Sequence, residues 1–120
     1  MDNNLVEHKW VRLLADSCAD GVWARDGCSG LADDLPVSAQ LILRIRAWQA
    51  WYDRDEDDWG LFKGDVEAFS NEGREIARAL KAELPDWTVV YFDKAASERH
   101  PDGPRTHFEY EIVDRHDAPT

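Results

Sequence analysis

The chain has 120 residues, 43% of them apolar, with 25 acidic against 14 basic side chains and a formal net charge of −11. One domain of this size buries a core without disulfides or metals, and six tryptophans, three tyrosines and four phenylalanines exclude a disordered chain. The acidic excess runs through both halves with no positive stripe, which excludes a phosphate backbone or an anionic membrane as partner and favours encounter with a basic protein.

The start Met1-Asp2-Asn3-Asn4 has neither the basic region nor the apolar run of a secretory signal, and no stretch approaches the roughly 20 apolar residues that span a bilayer, so a cytoplasmic protein is expected. Residues 6–17 suit either a helix, through Val6, Trp10, Leu13 and Leu14, or a strand over Trp10–Ala15. The strand is preferred, because Val22-Trp23-Ala24-Arg25 before Asp26-Gly27 reads as a second short strand that would pair with it. Cys18 and Cys28, ten positions apart and outside any CxxC pattern, are expected as thiols.

A polar loop over 27–37 leads to a helix capped by Ser38, with Leu41, Ile45, Trp48 and Tyr52 on one stripe. Leu43, Ala47, Ala50 and Trp51 widen its apolar surface, which predicts cover on more than one side. The clearest element is a helix from Val66 to Leu84, capped by Asp65 and ended by Pro85. Val66, Phe69, Gly73, Ile76, Ala77, Leu80 and Leu84 share its buried face. Glycine in that stripe costs roughly 1 kcal/mol relative to alanine, so something large, such as a tryptophan, is expected against its bare backbone. Trp87–Phe92 reads as a buried strand, and His107–Asp114 as a strand with Phe108, Tyr110 and Ile112 on its apolar face. The turn Pro101-Asp102-Gly103-Pro104 pairs the two antiparallel. The expected fold is α+β over residues 1–114: a small antiparallel sheet of about four strands with two principal helices on one face, and a loose tail over 115–120.

The most unusual segment is Trp51 to Trp59, where five of the six residues 53–58 are acidic and aromatics flank them. As a calcium loop begun at Asp53 it fails at its two most diagnostic positions, with Asp58 where glycine is needed and Gly64 where a bidentate glutamate is needed. Acids also oppose the dipole at a helix C-terminus, so the preceding helix is expected to stop early. A solvated loop accounts for the run. The functional alternative is a patch of Asp53, Asp55, Glu56, Asp57, Asp58 and Trp59 that holds a cationic group by charge and cation–π contact. Trp59 is the aromatic expected to be most exposed, since Trp48 and Tyr52 belong to the core stripe.

His8, His100, His107 and His116 lack helical metal-ligand spacing, although His100 and His107 stand where they would meet across the C-terminal hairpin. No nucleophile elbow, phosphate loop or Cys–His pair is present, and neither a cofactor nor a metal site is expected.

Trp10-Val11-Arg12-Leu13-Leu14-Ala15-Asp16, Gly21-Val22-Trp23, Leu35-Pro36-Val37-Ser38 and the segment from Ala68-Phe69 to Phe92-Asp93 together resemble a group of small bacterial proteins of uncharacterised function. These positions are core and punctuation, with no catalytic residue among them. Small acidic proteins of this kind include immunity proteins that neutralise toxins, an association by size and charge alone. The leading expectation is a non-catalytic domain that binds a basic protein through the segment around Asp53–Trp59, as an immunity-type inhibitor would. The alternative is a small enzyme or ligand-binding protein with a carboxylate-lined pocket between the helices and the sheet. A homodimer that buries the wide apolar face of the first long helix is a third reading.

Overall fold

The structure, a computed structural model, describes residues 4–17, 19–100 and 102–113. The elements run α1 (Asn4–His8), β1 (Trp10–Leu13), β2 (Val22–Trp23), α2 (Ala39–Asp55), α3 (Val66–Glu83), β3 (Thr88–Phe92), α4 (Lys94–Arg99) and β4 (Glu109–Ile112). Short 3-10 turns lie at Ala32–Asp34 and Arg105–His107. The architecture is α+β, with four strands in the order β2-β1-β3-β4.

The sheet is mixed rather than antiparallel. β2 and β4 pair antiparallel at the edges, while the central strands β1 and β3 run parallel, Val11 opposite Val89 and Leu13 opposite Tyr91. A parallel pair needs a long crossover, and α2 and α3 supply it between β1 and β3. Residues 94–99, for which the sequence predicts no element, form α4, capped by the Asp93 carboxylate on the Ala96 amide. β4 is also shorter than the expected 107–114 strand: His107 belongs to a 3-10 turn, and Asp114, like Cys18, His116 and the 115–120 tail, lies outside the described residues.

Both long helices begin where expected, with Ser38 accepting from the Leu41 amide and Asp65 from the Ala68 amide. They contribute Leu41, Ile45, Trp48, Phe69, Ile76, Ala77 and Leu80 to a core shared with Val11, Leu13, Val22, Val89 and Tyr91 of the sheet. Trp48 stacks on Phe69 with ring centres 4.8 Å apart and donates its indole N–H to the Phe69 carbonyl at 2.9 Å. Gly73 is where α3 meets both Trp48 and Tyr91: a Cβ there would sit 2.5 Å from the Tyr91 hydroxyl and 2.7 Å from Trp48 Cζ2. The tryptophan expected against this glycine is present, and a tyrosine joins it.

α2 corrects two expectations. Leu43 is 66% exposed and Ala47 and Ala50 are exposed, so the helix buries one stripe and not several faces. Nor does it stop before the acids. Gln49 donates to Asp53 at 3.0 Å and the Trp51 indole to Asp55 at 3.0 Å, so side chains one turn back neutralise part of the unfavourable dipole interaction.

Candidate partner-binding surface

The acidic run ends α2 and enters a tight loop whose arms meet through the bridge between Glu56 and Phe62. The Asp57 amide donates to the Leu61 carbonyl at 2.9 Å, and the Asp57 carboxylate accepts from the Trp59 and Leu61 amides, both at 2.9 Å. These bonds hold the Asp57 carboxyl below the usual carboxylate range, the Leu61 amide most strongly, with Lys63 at 3.6 Å adding to them. Gly60 takes a φ of +78°, a conformation that costs little only for glycine, and closes the turn. Phe62 roots the loop, packing against Phe69 at 4.7 Å and Tyr52 at 6.0 Å between ring centres.

This geometry divides the six candidate residues. Asp55, Glu56 and Asp57 are half-buried and engaged within the chain, Glu56 accepting from the Tyr52 hydroxyl at 3.0 Å and from the Ser17 hydroxyl. Burial and Glu56 together push the Tyr52 hydroxyl up to about 12. Asp53, Asp58 and Trp59 are exposed, and Trp59 at 87% is the most exposed large apolar side chain among the described residues, with Leu61 at 55% beside it. The loop thus presents an indole and an isobutyl group flanked by carboxylates.

Beside it opens a cleft of about 310 Å³, lined from the two long helices and from the ends of β1 and β3. Leu14, Ala15 and Asp16 line it from the C-terminal end of β1, and Phe92 and Lys94 from that of β3. Trp48, Tyr52 and Phe69 form its floor, and Gly60 links it to the loop. Crevices at the carboxyl ends of parallel strands are the usual ligand positions of such sheets. The Lys94 ammonium lies 5.6 Å from the Tyr52 ring centre. Gln49 holds the Asp16 backbone in place, its side chain donating to the Asp16 carbonyl at 2.8 Å and accepting from the Asp16 amide at 3.3 Å. The cleft brings in one carboxylate, Asp16, and not the pair an acid–base site would need. The Asp57–Gly60 turn was the signal that could have exposed Trp59's setting. Nothing in the sequence announced the parallel strand pair that makes the cleft.

Two further cations lie against rings of the sheet, Arg12 over Trp10 at 5.1 Å and Arg105 over Phe92, which also lines the cleft, at 5.8 Å. Both converge on Glu109. Arg105 grips it with two hydrogen bonds of 2.7 and 3.0 Å, whereas Arg12 Nε, 2.8 Å away, is buried and lacks hydrogen-bond geometry. His100 and His107 do meet, edge to face at 5.1 Å, and both are exposed. Among the described residues no three His, Cys, Asp or Glu side chains form a group that would hold a metal ion, and no helix is long and apolar enough to cross a membrane.

A family model described as Serratia CdiI immunity protein-like matches residues 9–94. That span runs from the residue before β1 to the first residue of α4 and contains both the acidic loop and every residue lining the cleft. Comparison with curated proteins returns no match.

Proposed function

Since the chain belongs to the Serratia CdiI immunity protein-like family, we propose that it is a non-catalytic inhibitor that binds a basic toxin through the last turn of α2, which carries Asp53, and the loop after it, which carries Asp58 and Trp59. The family match carries this reading. Supporting it are the net charge of −11 and an indole 87% exposed at the tip of a loop that internal hydrogen bonds hold in shape. The charge steers a basic partner in from a distance and acts mainly on the association rate. The rigid loop lets Trp59 and Leu61 bury apolar surface at small entropic cost, the usual behaviour of an interface anchor. Asp55, Glu56 and Asp57 shape the loop, while Asp53 and Asp58 meet the partner's cations. The site of action is the cytoplasm, and no cofactor takes part.

The full chain, immobilised in native extract at low salt, would retain a basic protein that elutes sharply as salt is raised. With that protein purified, Trp59→Ala is expected to speed dissociation at least tenfold, and Asp53→Asn with Asp58→Asn to slow association and flatten its salt dependence. Unchanged rates in both variants would overturn the placement of the interface.

A further inference from the structure

We propose that the cleft between the ends of β1 and β3 receives one neutral apolar side chain of the partner, leucine-, methionine- or phenylalanine-like, while the partner's cations remain outside on Asp53 and Asp58. This rests on the inhibitor reading and specifies how the partner engages it.

Three observations define the occupant. The floor offers rings but no free polar group: the Trp48 indole N–H is spent on the Phe69 carbonyl at 2.9 Å, and the Tyr52 hydroxyl on Glu56 at 3.0 Å. A polar group pushed onto that floor would lose its water without gaining a partner, whereas an apolar one gains burial. The cation seat is also taken, because the Lys94 ammonium already stands 5.6 Å from the Tyr52 ring centre and would repel a second positive group at that face. Finally, about 310 Å³ is room enough for a large side chain. Gly60 belongs both to the loop and to the cleft wall, so a chain lying across Trp59 would deliver its next side chain into the opening.

The test uses the full chain with isotope labels and three probes: N-acetyl-leucinamide, N-acetyl-phenylalaninamide and N-acetyl-argininamide. The two apolar amides are expected to give saturable millimolar shifts at Leu14, Ala15, Tyr52 and Phe92, and argininamide to bind there at least tenfold more weakly. Leu14→Asp, or Leu14→Asn should the acid unfold the chain, is expected to abolish the apolar shifts and weaken the isolated partner at least tenfold while leaving the salt dependence intact. Asp53→Asn with Asp58→Asn is expected to do the reverse. No saturation by either apolar amide, or argininamide binding as tightly, would overturn the inference. So would amide binding in the cleft with partner affinity untouched by the Leu14 variants, an outcome that leaves the loop reading standing. Loss of the loop reading alone would show as loop variants that change nothing while the Leu14 variants still weaken the partner.

Discussion

Replacing Gly73 by alanine sets a gain in helix propensity against a collision, and the structure decides which wins. Alanine in mid-helix is worth roughly 1 kcal/mol over glycine. Against that, the new methyl would lie 2.5 Å from the Tyr91 hydroxyl oxygen and 2.7 Å from Trp48 Cζ2, far inside the roughly 3.5–4.0 Å of a comfortable contact. Neither neighbour yields freely. The Tyr91 hydroxyl donates to the Ser70 carbonyl at 2.7 Å and the Trp48 indole to the Phe69 carbonyl at 2.9 Å, both inside the core. Moving Tyr91 forfeits a buried hydrogen bond worth about 1 kcal/mol, and overpacking adds roughly 1–3 kcal/mol. The balance is a loss of about 2 kcal/mol, or some 6–10 °C in Tm for a chain this long. Urea unfolding followed by circular dichroism would measure it at unchanged slope. Gly73→Ala combined with Tyr91→Phe removes the nearest clashing atom, so the double variant should lose less than the sum of the single ones. A Gly73→Ala protein as stable as the parent would refute the packing argument.

Asp93 is 3% exposed, caps α4 and accepts from Arg74 at 3.0 Å and from the Tyr110 hydroxyl at 3.2 Å. Burial alone would raise its pKa, but the Ala96 amide and Arg74 outweigh burial and bring it below the usual value. Its contribution is therefore fully present above the unfolded pKa of about 3.9 and is lost as pH falls through the lower folded value. Asp93→Asn should destabilise the protein at neutral pH and flatten its acid unfolding below about pH 4, and equal acid profiles for variant and parent would contradict this. Trp59→Ala should leave stability within about 0.5 kcal/mol, since an 87% exposed side chain supports no core; a larger drop by urea unfolding would mean that the indole is structural. The Cys28 thiol is held up by the hydrogen bond and charge of Asp26. Asp26→Asn should accordingly speed iodoacetamide labelling at Cys28 near pH 8, read on the isolated peptide, and an unchanged rate would exclude that control.

What sequence alone determined is what local periodicity and capping determine. α3 and its Asp65 cap, the Ser38 start of α2 and the β3 run are set by contacts a few residues apart or by an unbroken apolar run, and the 101–104 turn signal points to the antiparallel β3–β4 pair, whereas residues 6–17 suit helix and strand alike and only the structure divides the N-terminal segment into α1 and β1. The exposure of Trp59 was legible in the same way, because the core stripe of α2 had no place for it. Only the tertiary structure decided the parallel pairing of β1 with β3, since strand direction depends on how some seventy intervening residues return and leaves no mark on either strand. It also split the acidic run into carboxylates that build the loop and carboxylates that face water, because the Trp51 indole, the Tyr52 hydroxyl and the Trp59 and Leu61 amides reach Asp55, Glu56 and Asp57 only once α2 has extended to Asp55 and the loop has closed. The cleft belongs to the same class of fact. Tyr52, Phe69 and Phe92 come from three elements and Leu14 from the segment just after β1, and their shared wall exists only where these meet.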